Sequence, residues 1–214
     1  MEFMLTSSEI RVLASLIEKE FSTPDYYPLS LNALINACNQ KTNRDPVVNY
    51  DEPTVLAALQ GLKDKRLTWE STAGRVSKYE ETFLKAKNLS RSEAAVLCEL
   101  MLRGPQTLGE IKAHTERMYA FTDIDEVSAV LENLSELGYT LKLPRLAGHK
   151  EPRYVQLLAV EPEDVLPGAP LQELLPGPPG QTERIGALEQ EIRELRQELA
   201  ELKQAFLDFR KQFD

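Results

Sequence analysis

Leu5-Thr6-Ser7-Ser8-Glu9-Ile10-Arg11-Val12-Leu13-Ala14-Ser15-Leu16 is echoed, 84 positions later, by Leu89-Ser90-Arg91-Ser92-Glu93-Ala94-Ala95-Val96-Leu97-Cys98-Glu99-Leu100, with six of the twelve positions identical. Each copy opens on a capping box, Thr6 with Glu9 and Ser90 with Glu93, in which side chain and backbone satisfy one another at a helix start. Each then runs into an amphipathic helix. The first is expected to end near Glu20, before Thr23-Pro24, and the second at Arg103, before Gly104-Pro105.

Working outward, each copy is followed by the same succession of elements. Ser30 caps a helix from Leu31 to Asn39, and Thr107 caps one from Leu108 to about Thr115. Asp51-Glu52-Pro53 starts a third helix reaching Lys65, with proline in the first turn where its missing N–H costs nothing. In the second copy Asp123 or Asp125 opens the equivalent helix, which ends at Leu137 with Gly138 as its left-handed stop. Val55, Leu59 and Leu62 match Val127, Leu131 and Leu134 in spacing and mark the buried faces. A hairpin follows each time: 67–70 and 76–80 around Ser71-Thr72-Ala73-Gly74, then 139–143 and 153–158 around Pro144 to Lys150.

Three helices and a hairpin, twice, is the winged-helix order. The predicted fold is mainly α with small β-hairpin wings (α+β): a first domain over 1–84 and a second over 85–160. Residues 161–182 hold six of the thirteen prolines and read as an extended linker. Over 183–214 a heptad emerges, with Ile185, Ile192, Leu199, Phe206 and Phe213 at a, and Leu188, Leu195, Leu202 and Phe209 at d. In a parallel pair Glu191 faces Arg196 and Glu198 faces Lys203, so the charges favour a parallel homodimer. The alternative is one amphipathic helix packed back on the chain's own domains.

Several segments resemble the YceH-like family of bacterial proteins. They are Ala37-Cys38-Asn39-Gln40-Lys41-Thr42-Asn43-Arg44-Asp45-Pro46-Val47; Thr23-Pro24 with Tyr27-Pro28-Leu29-Ser30; Arg75-Val76-Ser77-Lys78-Tyr79-Glu80; Glu116-Arg117-Met118-Tyr119 with Phe121 and Glu126-Val127; and Gly148-His149-Lys150-Glu151 with Arg153-Tyr154. The resemblance spans roughly residues 4 to 160. It implies tandem winged-helix domains and supplies no catalytic residue.

Composition sets limits on function. The 214 residues carry a net charge of −9, which read naively opposes nucleic acid. The charge divides unevenly: −3 over 1–84, zero over 85–160 and −6 over 161–214. His114 and His149 are isolated, and neither a phosphate loop nor a nucleophile elbow is present, so neither an enzyme nor a metal or other cofactor is expected. Cys38 and Cys98 lie apart, no apolar run is long enough to cross a bilayer, and a cytoplasmic protein is expected.

Nucleic-acid binding is the function the fold invites. Lys63, Lys65, Arg66, Arg75 and Lys78 against Asp64 and Glu70 make a local +3 over residues 63–78. Lys41 and Arg44 precede the third helix, and Thr54, Gln60 and Lys63 could point outward from it toward double-stranded DNA. The competing reading is a solvated helix end, with Arg44 and Asp45 bracing their loop. The second domain differs: Asp123, Asp125, Glu126, Glu132 and Glu136 put −5 on its third helix, which opposes phosphate and suits a protein partner. Its wing, with Lys142, Arg145, Lys150 and Arg153 against Glu151, is +3. A DNA-binding regulatory factor and a protein-interaction scaffold thus both remain open.

Overall fold

A computed structural model describes residues 4–72, 74–145 and 151–159. It is a mixed α/β structure, with seven α-helices and two small antiparallel sheets among the described residues. The coiled-coil positions Ile185, Leu188, Ile192, Leu195, Leu199, Leu202, Phe206 and Phe209, the linker, and the second hairpin's turn with His149 and Lys150 lie outside the described residues.

Helix α1 (Ser7–Ser22) starts at Thr6, whose side chain accepts from the Glu9 N–H while Glu9 Oε2 accepts from the Thr6 N–H at 2.8 Å. Helix α2 (Leu31–Cys38) is capped by Ser30, and α3 (Glu52–Asp64) by Asp51 with Pro53 in its first turn. Strands β2 (Thr68–Ser71) and β3 (Lys78–Glu81) form the first hairpin. A two-residue strand β1 (Leu29–Ser30) pairs with the other edge of β3, giving the sheet order β1-β3-β2. A short helix α4 (Phe83–Lys87) leads to the second copy of the pattern. There α5 (Arg91–Arg103), α6 (Leu108–Thr115) and α7 (Ile124–Glu136) precede β4 (Thr140–Lys142) and β5 (Tyr154–Gln156). Asp123, not Asp125, caps α7, and Gly138 takes φ +76° beyond its end. Gln106 exchanges both backbone hydrogen bonds with Tyr154, so it occupies the place that β1 takes in the first half.

The two repeated helices pack on each other. α1 is buried all round from Glu9 to Glu18, and α5 from Ala94 to Leu102, because each faces its own half on one side and its counterpart on the other. Cys98 Sγ donates to the Ala14 carbonyl at 3.3 Å across this seam. The Arg91 guanidinium lies 5.0 Å from the Phe21 ring centre, and the Leu5 N–H donates to the Leu158 carbonyl at 2.7 Å. The described residues therefore share one compact unit. Within the first half Gly61 lets α3 approach α1, since a side chain there would collide with the Glu9 carboxylate.

Candidate nucleic-acid interface

α3 presents Glu52, Pro53, Leu56, Ala57, Gln60, Lys63 and Asp64 to solvent, and the middle of that face, from Pro53 to Gln60, carries no charge. Its polar groups are largely engaged within the protein. Thr54 is half-buried and donates to its cap, Asp51 Oδ1, through both N–H and hydroxyl. Gln60 Nε2 donates to Asp64 at 2.7 Å. Lys63 pairs with Glu70 at 3.1 Å, and this hydrogen bond holds the Glu70 carboxyl below its ordinary range. Lys65 reaches back to Glu9 on α1 and is only 29% exposed.

Three cations of the +3 segment remain exposed and form no ion pair among the described residues: Arg66, Arg75 and Lys78. Arg66 occupies the α3–β2 turn at φ +59°, and its carbonyl accepts from Thr82 Oγ1 at the base of the hairpin. Arg75 lies in the turn at the other end, and Lys78 pairs in register with Ser71 beside it. Four residues of strand, about 13 Å, separate the two ends. Arg75 and Lys78 thus lie at one end of the hairpin and Arg66 at the other. Alternation along the strands puts Trp69, Ser71, Lys78 and Glu80 on one face. Trp69 is 59% exposed there, as is Val76 in the turn. Trp69 is a candidate contact that the charge count missed; the signal was the chain's sole tryptophan in a strand beside basic residues.

Arg44 is corrected. It is buried, with its side chain wholly covered, and has no surface to offer a phosphate. Its two terminal nitrogens donate to Glu18 at 2.6 and 3.2 Å, and further to the carbonyls of Ala37 and Asn43 and to Gln40 Oε1. The same loop grips the second half: Asn43, at φ +60°, accepts from Arg103 at 2.6 Å, and the Asp45 N–H donates to the Leu102 carbonyl at 2.9 Å. The Asn43-Arg44-Asp45-Pro46 motif therefore braces the loop against α1, α2 and α5. Lys41 stays exposed on that loop.

In the second half the carboxylates of α7 are mostly outward. Glu126 is an exception, accepting from Tyr119 Oη at 2.8 Å and from the Thr122 N–H and hydroxyl, which lower its pKa. Met118 and Phe121 are buried over the core. Arg153 is engaged by Glu110 at 3.0 Å and by the Pro105 carbonyl at 2.7 Å, which leaves Lys142 and Arg145 as the exposed cations of that hairpin among the described residues. His114 Nδ1 sits 2.6 Å from Gln106 Oε1. Among the described residues no three His, Cys, Asp or Glu side chains are grouped to hold a metal, and no helix is long and apolar enough to cross a membrane.

A family model described as "Protein of unknown function, DUF480" matches residues 5–149. A UPF0502 protein of Solibacter usitatus is 49% identical over 215 residues, and one of Citrifermentans bemidjiense 51% identical over 217, with 100% of both chains covered in each case. A UPF0502 protein of Geotalea daltonii is 50% identical over 218 residues with the same coverage. The matched span holds both copies of the repeated helix, the loop clamped by Arg44 and the first hairpin, and the chain belongs to the DUF480 family of bacterial proteins.

Proposed function

We propose that the chain is a non-enzymatic tandem winged-helix protein that contacts DNA through its first hairpin and acts as a homodimer through residues 183–214. The order of three helices and a hairpin, given twice, supports the winged-helix reading. The observation that carries the DNA reading is the hairpin end where Arg75 and Lys78 are exposed and unpaired, with the Trp69 indole on the same strand face as Lys78. Positive charge there suits the phosphate backbone, and an exposed aromatic ring suits packing on the sugars beside it. The outward stripe of α3 has no free cation, so the contact proposed is to backbone, with weak dependence on base sequence.

The test is a titration against mixed-sequence duplex DNA at several salt concentrations. The affinity should fall with salt, and replacing Arg75 and Lys78 together by alanine should flatten the log–log slope by about 1.8, at about 0.9 per phosphate neutralised. Lys63→Ala should change it less, because Lys63 already spends its charge on Glu70. Absence of salt-dependent binding at low salt refutes the reading.

A second reading, docking of a protein partner on the second half, draws on the acidic outer face of α7 with Ile124 47% and Leu137 55% exposed near its ends. Recovery of one stoichiometric protein partner with no nucleic acid favours it over DNA binding.

A further inference from the structure

A cleft of about 120 Å³ opens where α1, α5, β5 and the loop after Pro46 meet. Its walls are chiefly apolar, including Ile10, Val48, Met101 and Val155, and the polar residues Ser7, Arg11, Asp45, Tyr50 and Gln156 also border it. An apolar hollow with a few placed polar groups is the usual make-up of a small-molecule site. In size it approaches an engineered protein cavity of about 150 Å³ that admits benzene.

Arg11 is the unusual member. It is 4% exposed, and its terminal nitrogens donate to two neutral acceptors, the Pro46 carbonyl at 2.7 Å and the Cys38 carbonyl at 3.4 Å. Its Nε has no hydrogen-bond partner. No carboxylate of the described residues lies within ion-pair distance of it, whereas Arg44, the other buried arginine, has Glu18. The one carboxylate lining the cleft, Asp45, is exposed and makes no ion pair with Arg11. Burial, and then the neighbouring Arg44 charge, disfavour the Arg11 cation. A buried cation bonded only to neutral groups is costly, and an anion brought beside it relieves that cost.

We propose that this cleft binds a small carboxylate with an apolar body, the carboxylate meeting Arg11 and the body lying against Ile10, Val48 and Met101. Such a ligand touches both repeats and the braced loop at once, so it stabilises their junction. The proposal stands independently of DNA binding.

The test follows the methyl resonances of Ile10, Val48, Met101 and Val155 by NMR in the full chain while benzoate is added to about 20 mM. That range lies well above a dissociation constant on the order of 1 mM expected for so few heavy atoms. The expected result is a saturable shift of these methyls, at least about tenfold weaker with neutral benzamide, as the loss of a charge-assisted pair requires. Inorganic phosphate, an anion with no apolar body, should also bind more weakly than benzoate. Arg11→Gln should abolish the preference for benzoate over benzamide. Because that change also loosens the loop, Met101→Trp serves as a second variant: it fills the cleft, and circular dichroism verifies its fold. Folded Met101→Trp should lose the response. No saturable shift, equal affinity for benzoate and benzamide, a phosphate response matching that of benzoate, or an unchanged response in Met101→Trp overturns the proposal.

Discussion

Replacing Arg44 by alanine removes a guanidinium with five hydrogen bonds, two of them to the buried carboxylate of Glu18. Breaking one partner out of a buried ion pair typically costs about 3–5 kcal/mol, since the other charge is left uncompensated. Lys19 stands 3.1 Å from Glu18 and shields part of the loss, which points to the lower end, about 3 kcal/mol. Against a total stability of about 5–15 kcal/mol that is a large fraction. Urea denaturation followed by far-ultraviolet circular dichroism reads it directly. The double variant Glu18→Gln, Arg44→Met should lose clearly less than the sum of its single changes, with a coupling of at least about 1.5 kcal/mol. pH supplies an independent arm. Burial alone would raise the Glu18 carboxyl, but the hydrogen bonds and charge of Arg44, with Lys19, hold it below its ordinary value of 4.5. A depressed folded pKa gives stability that is present above 4.5 and lost as pH falls through the folded value, so Arg44→Ala should shrink this acid loss. A single-variant cost under about 1 kcal/mol, or strict additivity, refutes the reasoning.

Two further outcomes are expected. Glu81 on β3 lies against Glu20 of α1, near Glu80, with Tyr27 Oη accepting from its N–H at 2.6 Å; burial first, and then Glu20, push its carboxyl up to about 7. The folded state thus holds a proton that the unfolded chain releases between 4.5 and about 7, so this group's stabilisation is lost as pH rises through that window. Glu81→Gln should flatten the decline and be more stable than the parent at pH above about 7, as thermal melts across pH would show. For the heptad segment, a glutamate at Leu195 or Leu199 should yield monomers in sedimentation. A variant that stays dimeric refutes that interface.

The local signals in the sequence were readable because they are local. Capping residues three positions from their partners, Pro53, and the spacing of Val55, Leu59 and Leu62 placed six of the seven helices within a residue or two, and the five-residue α4 went unread. The fate of the charges was not readable in the same way. Glu18 meets Arg44 across 26 positions and Glu9 meets Lys65 across 56, so no window of sequence reveals that two of the cations in the candidate interface are spoken for. The third strand of each half escaped for a similar reason. β1 is two residues long, and its counterpart is the single bridge at Gln106; neither has a periodicity of its own, and both exist only through partners some 48 to 50 positions away.

The seam between α1 and α5 has a thermodynamic consequence. Each repeat uses the first helix of the other as a wall of its own core, so melting either one strips apolar cover from both, and the two should lose structure as a single cooperative event. The occupancy of the hairpin carrying Arg75 and Lys78 is then governed partly by residues such as Leu97 and Leu100, which belong to the other repeat and are fully or almost fully buried. A chain cut near residue 84 would leave each fragment with a raw hydrophobic flank, and such fragments would report self-aggregation in place of the affinities of the intact protein.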